Sequence, residues 1–291
     1  MHEIDRIIEV AKRVIDANGR GIIVTVIATR GSTYRRAGAR TVIQEDGGSC
    51  GMISGGCLER DLAAHVEKWL DDFTPRMVTY DSTRTDDLIF GTGLGCRGEV
   101  DMLVEPFDAA RPPRLVRDFR WNGREPVVWT TGTLVEVILP PRSLLIFGSG
   151  ADVSPVVNIA GTLGWETTVV MRRETVDLTP FDAAIVMTHN FLRDLELLET
   201  LAPTPIPYIG LLGPQARGEE LLAAMTNVPA DFRDRLHSPI GLDLGGETPE
   251  EIALAIIAEV QQVLQGRDAR PMRELGTAIH AGVKLGSHLE T

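Results

Sequence analysis

At 291 residues the chain is too long for one ordinary domain and fits two, each able to bury a core of its own. A formal net charge of −12, with no run of Lys or Arg, excludes a nucleic-acid partner, because phosphate binding needs a basic face. With 43% hydrophobic and 24% charged residues the composition is that of a folded globular protein, and its longest apolar stretches, Gly21 to Ala28 and Ser143 to Phe147, are strand-sized and too short to span a membrane.

In chain order, Ile4, Ile7, Ile8, Ala11, Val14 and Ile15 recur at helical spacing, and Asn18-Gly19 stops the helix. Met1 to Arg6 opens this amphipathic helix rather than a signal peptide, and the three cysteines form no C-x-x-C pair. The expectation is a cytoplasmic protein with free thiols. Gly21 to Ala28 reads as a buried strand. The following loop, Gly31-Ser32-Thr33-Tyr34-Arg35-Arg36, carries hydroxyls and guanidiniums that suit a phosphate or carboxylate, and serves equally as a solvated face.

Two glycine-rich loops each end in a cysteine: Ser54-Gly55-Gly56-Cys57 and Gly91-Thr92-Gly93-Leu94-Gly95-Cys96. Glycine lets backbone N–H groups line an anion site, and cysteine offers a soft donor atom. Either loop alone is also what a tight turn beside a small buried cysteine looks like. Leu58, Leu62, Val66 and Leu70 keep helical spacing, which puts Cys57 at a helix start, where the dipole favours a low-pKa thiolate. Cys50 lies in the turn-like run Asp46 to Cys50, outside both motifs. Arg76 to Tyr80, Glu99 to Glu105, Pro126 to Trp129 and Leu134 to Leu139 read as short strands, completing a mixed α+β amino-terminal domain over residues 1–141.

Pro140-Pro141 marks a boundary, and residues 142–291 read as a Rossmann-like domain with a reduced parallel sheet and an irregular tail after Gln265. Strand Ser143 to Phe147 runs into Gly148-Ser149-Gly150, a helix from Asp152 to Leu163 and a strand from Glu166 to Met171. The third glycine of a G-x-G-x-x-G turn is Val153, and the carboxylate that would hold a ribose diol is absent: the strand ends Met171-Arg172-Arg173. An arginine pair there suits a phosphate, or plain surface. Strands Ala183 to Thr188 and Ile206 to Leu212 follow. Thr248-Pro249-Glu250-Glu251 is a capping box opening a helix whose apolar stripe is Ile252, Ile256, Val260 and Val263. His189 follows a strand at the carboxyl edge of the sheet, and Asp243 lies in a glycine loop near the same edge.

Gly31 to Arg36 with Gly38-Ala39-Arg40, Ser54 to Glu59, and Gly93-Leu94-Gly95-Cys96 together resemble the amino-terminal domain of the XdhC/CoxI family. Gly148 to Gly150 with Asp152 and Pro155, Thr188-His189-Asn190, Gly210 to Pro214 and Pro239 to Asp243 are similar to that family's Rossmann-like domain. The resemblance implies an accessory factor that binds molybdenum cofactor, supports its sulfuration together with a cysteine desulfurase, and hands it to the apoenzyme of a molybdenum hydroxylase such as xanthine or carbon monoxide dehydrogenase. It implies a chaperone more than a catalyst. Met171, in place of an acidic residue, and Arg97, where the family commonly has glycine, depart from the pattern.

The cofactor is an anionic pterin dithiolene with a terminal phosphate, so its carrier needs anion donors and a soft contact. In the first domain the expected contacts are Gly55, Gly56, Gly93 and Gly95 with Arg35, Arg36 and Arg40 for the anion, and Cys57 and Cys96 near the metal. In the second they are Gly148, Gly150, His189 and Asp243. The two sets are expected to form one site, within a chain or across a homodimer. Two rivals stand beside this reading: an NAD(P)-dependent oxidoreductase with His189 as acid or base, and a cofactor-free scaffold that recruits a desulfurase to the dehydrogenase.

Overall fold

A computed structural model describes residues 1–81, 98–171 and 176–276. The chain divides into two compact units, with the boundary between Pro140 and Pro141.

The amino-terminal unit is built on one antiparallel sheet. Helix α1 (Glu3–Asp16) precedes β1 (Gly21–Gly31), β2 (Arg40–Gln44) and β3 (Ser49–Gly51); α2 (Cys57–Ala64) and α3 (Val66–Asp72) lead to β4 (Arg76–Asp81) and β5 (Gly98–Phe107). Short α4 (Arg114–Asp118) and the hairpin β6 (Val127–Thr131) and β7 (Leu134–Ile138) complete it. The strand order is β3-β2-β1-β5-β4. Both faces of this sheet are covered, which is why β1 is buried without alternation from Gly21 to Ile27. On one face Ile22, Val24, Val26, Met102 and Val104 pack under Leu58, Leu62, Val66 and Leu70. On the other, Ile23, Val42 and Phe107 pack under α1, α4 and the hairpin residues Trp129 and Ile138.

The single helix expected over Leu58 to Leu70 is two, broken at His65, yet all four stripe residues are buried because the turn keeps their phase. Strand β3 contains Cys50, which the sequence places in a turn. Its partner β2 begins at Arg40, in a stretch that the sequence does not mark as a strand.

The second unit is a doubly wound parallel sheet. It contains β8 (Ser143–Phe147), α5 (Val153–Thr162), β9 (Glu166–Val170), β10 (Ala183–Val186), α6 (Phe191–Leu201), β11 (Ile209–Leu211), α7 (Gln215–Ala224), α8 (Phe232–Arg235), β12 (Leu236–His237) and α9 (Pro249–Leu264). Every pairing is parallel and the order is β12-β11-β10-β8-β9. This places a topological switch between β8 and β10, so the loops after these two strands flank the crevice where such sheets bind ligands.

Helices α5 and α9 cover one face, with Val153, Val156, Ala160, Ile256, Ile257 and Val260 against Leu144, Ile146, Ile185 and Tyr208. Helices α6, α7 and α8 cover the other with Leu198, Leu201, Leu221 and Phe232. Thr248 caps α9 in a capping box with Glu251 and Pro249 at its first turn. The buried stripe of α9 runs Ala253, Ile256, Ile257 and Val260. Ile252, which the sequence assigns to that stripe, is exposed, because the helix turns its Ala253 and Ile257 edge toward α5. After Gln265 the described tail holds one 3₁₀ turn, Met272–Glu274. Among the described residues no helix is long and apolar enough to cross a membrane.

Candidate functional site

Cys57 is the first residue of α2, entered through Gly56 at φ 106°, a left-handed conformation that favours glycine. A Cβ on Gly55 or Gly56 would meet nothing within 4 Å among the described residues, and the Cys57 side chain that follows is half-buried. The loop is held from below by two side chains. The Glu59 carboxylate accepts from the N–H groups of Ile53 (2.7 Å), Ser54 (2.8 Å) and Gly56 (3.1 Å), and from the Ser54 hydroxyl. Ser54 Oγ accepts in turn from the N–H of Leu58 at 3.1 Å and lies 3.7 Å from Cys57 Sγ. Thiol, hydroxyl and carboxylate thus form a hydrogen-bonded row leading inward from the surface.

This arrangement narrows what the loop can bind. The amides of Ile53, Ser54 and Gly56 are taken by the protein's own carboxylate, whereas the N–H groups of Gly55 and Cys57 find no partner among the described residues. Two amides and one thiol at a helix start remain for a ligand.

Burial, the largest single influence on Glu59, pushes its pKa up, but the hydrogen bonds from Ser54 and Ile53 together outweigh it and hold the group below its ordinary 4.5. A depressed folded value means stability that is present above 4.5 and lost as pH falls through the lowered value. Thermal unfolding followed from neutral pH downward is therefore expected to show a drop in midpoint below pH 4.5 that is reduced in Glu59→Gln. Parallel profiles for the two proteins would contradict it.

The arginines go elsewhere. Arg35 makes a two-pronged pair with Glu3 of α1, at 3.0 and 2.7 Å. Arg40 is buried, its guanidinium engaged by Glu136, by Thr131 Oγ1 at 3.3 Å and by the Gly38 carbonyl at 2.8 Å. In this structure both are internal ion-pair partners rather than donors presented to a ligand. Arg36 also has a partner. The second cysteine loop, with Gly93, Gly95 and Cys96, lies outside the described residues, as do Arg172 and Arg173. Among the described residues no group of three or more His, Cys, Asp and Glu side chains is disposed to hold a metal ion.

At the switch point of the second unit the glycine turn meets His189. Gly148 is glycine because a Cβ would sit 2.8 Å from Met187 Cγ and 2.9 Å from its carbonyl on the neighbouring strand. Asp152, at the start of α5, pairs with His189 Nε2 at 2.8 Å. A Cβ on Gly150 would collide with Asp152 Oδ1 and lie 3.8 Å from His189 Nε2, so Gly150, Asp152 and His189 form one cluster. Its chemistry differs from that of a dinucleotide turn: a carboxylate stands at the helix N-terminus where a pyrophosphate would be drawn. The sequence singles out Gly150 and His189 but not their link, because Asp152 lies 37 residues from His189 and only the fold joins them.

Asp243 is exposed and makes no ion pair or hydrogen bond with a described residue. Its loop is anchored by Gly241 N–H to Glu259 at 2.8 Å and Leu242 N–H to the Ala255 carbonyl. Glu259 also accepts from Tyr208 at 2.6 Å and faces His237 at 3.2 Å.

A parallel doubly wound domain joined to a mixed domain with an accessible glycine-loop thiol defines the class: a two-domain protein with a Rossmann-type half and a cysteine-loop half. The chain belongs to the XdhC/CoxI family. The family model for the XdhC and CoxI family matches residues 14–81, and that for the XdhC Rossmann domain matches residues 144–260. The chain is 27% identical to a probable xanthine dehydrogenase subunit from Bacillus subtilis, over 83% of this chain and 92% of that one. It is 22% identical to the molybdenum cofactor insertion chaperone PaoD of Escherichia coli, over 84% of each. A crystal structure of a xanthine dehydrogenase from Bacillus halodurans superposes with a TM-score of 0.74 at 28% identity, covering 94% of this chain and 99% of that one.

Proposed function

We propose that this protein is an accessory factor that carries molybdenum cofactor to a molybdenum hydroxylase of the xanthine dehydrogenase type. The observation that carries the reading is the Cys57 loop: a half-buried thiol at a helix start beside two N–H groups with no partner among the described residues. The donor set fits such a cargo, because thiolate sulfur suits a soft metal and amide N–H groups suit its anionic oxygens or phosphate. Family membership and the similarity to an insertion chaperone support the same reading. In its fuller form, a cysteine desulfurase sulfurates the cofactor on this carrier before transfer, and the carrier works as a homodimer.

The NAD(P)-dependent reading is disfavoured by Asp152, whose charge opposes a pyrophosphate at the start of α5. One preparation tests both. The protein, expressed in cells that make the cofactor, is expected to purify with molybdenum and to release the pterin's fluorescent oxidation product, without nicotinamide. Nicotinamide without molybdenum would reverse the order of the two readings.

A further inference from the structure

A pocket of about 40 Å³ lies beneath the β6–β7 hairpin of the amino-terminal unit, away from the residues the sequence singles out except Arg40. The sheet register builds it. Thr25 on β1 faces Arg40 on β2 and Leu103 on β5, and Ile23 faces Glu105, so these side chains share the face that Trp129 and Thr131 cover. Arg114 on α4 stands at the rim with its guanidinium 5.3 Å from the centre of the Trp129 ring.

Two features of this pocket are unfinished. Thr25 is 1% exposed and its Oγ1 has no hydrogen-bond partner among the described residues. The Glu105 side chain is half-buried and accepts no hydrogen bond from a described residue. Arg114, at the rim, pairs with Asp118 at 3.6 Å and also lies in the field of Glu105. A buried hydroxyl or carboxyl without partners is unfavourable, and a ligand that supplies the missing donors and acceptor relieves it. Net charge decides the class of ligand. Arg40 is neutralised by its pair with Glu136, so the charges facing the pocket are Glu105, which opposes an anion, and Arg114, which opposes a cation, and the occupant is neutral. It carries N–H donors for Glu105 and an acceptor for Arg114, and it is flat enough to lie against Trp129.

We propose that this pocket binds the 2-amino-4-oxopyrimidine edge of a pterin, the Glu105 carboxylate accepting from the amino group and ring N–H, and Arg114 donating to the carbonyl oxygen. The volume holds about three water molecules or one ring edge. The second ring stays at the mouth, beside the exposed Thr130 and Gly132. The choice of pterin over guanine, which offers the same edge, rests on the cofactor-carrier reading.

The test titrates the purified full-length protein with free pterin, followed by the ligand's fluorescence, against lumazine, which lacks the 2-amino group, and guanosine. Pterin is expected to bind at least about tenfold more tightly than lumazine, and Glu105→Gln to weaken pterin by roughly tenfold or more. Thr25→Val, which removes an unpartnered hydroxyl, keeps the question open to measurement should Glu105→Gln fold poorly: it is expected to fold and to bind pterin less tightly. Equal binding of pterin and lumazine, no pterin binding, or unchanged affinity in both variants overturns the inference and leaves a water-filled pocket. Tighter binding of guanosine overturns the assignment to pterin. Molybdenum content, measured separately, distinguishes failure of this pocket from failure of the carrier reading: a protein that purifies with molybdenum but ignores free pterin loses only the former.

Discussion

Glu136→Ala is expected to destabilise the amino-terminal unit by about 3–5 kcal/mol, the range for breaking a buried ion pair from one side. Only 6% of the Arg40 side chain and 11% of the Glu136 side chain are exposed, so removing the carboxylate leaves a guanidinium in the interior with a carbonyl and a hydroxyl as its remaining partners. Glu105, whose pKa burial pushes up and Arg40 and Arg114 pull down, lies in the same field and offers partial compensation, which favours the lower end of the range. Surface pairs such as Arg117 and Asp118 contribute far less by comparison, because water and salt screen them. Urea unfolding of single and double variants decides the matter. Replacing both partners with apolar residues, as in Arg40→Met with Glu136→Leu, is expected to recover much of the loss, since the cost lies in the uncompensated charge. A Glu136→Ala protein within about 1 kcal/mol of the parent, a loss smaller than the range above, would show that water reaches the pair.

This pair also marks where the sequence stops being legible. Local signals are readable wherever their causes are local. The apolar run of β1, the capping box at Thr248 and the glycine turn after β8 each follow from neighbouring residues. Arg40 is unreadable as an internal ion because Glu136 is 96 residues away, and a lone arginine after Gly38-Ala39 looks like any loop cation. Strands β2 and β3 escape for a related reason: three residues around Cys50 carry no periodicity, and the pairing of β3 with β2 exists only once the sheet forms. Helix α6 does carry a stripe, Phe191, Leu195, Leu198 and Leu201, whereas α7 is only weakly amphipathic and α8 is a single turn, too short to show a period. In the candidate site the glycines and Cys57 are visible from their spacing. The role of Glu59 is not, since a carboxylate two residues after a cysteine gives no sign that it turns back to hold three amides.

Cys57→Ala is expected to lower the molybdenum that purifies with the protein by roughly tenfold or more, the loss of about 1.4 kcal/mol or greater in affinity. Cys50→Ala is expected to leave it unchanged. The contrast follows from position. Cys50 sits within β3, where its backbone is paired with Val42 and its carbonyl accepts from Thr41, whereas Cys57 opens a helix beside two amides without partners among the described residues. Cys57→Ser separates two explanations, because it keeps a polar group near Ser54 while removing the soft donor. If sulfur itself contacts the metal, serine fails as alanine does. If Cys57 only helps fix the loop through Ser54 and Glu59, serine restores loading. Metal analysis normalised to protein, with circular dichroism to confirm folding, reads both outcomes. Full loading of Cys57→Ala together with loss in Cys50→Ala would place the cofactor contact on β3 and remove the Cys57 loop from the site.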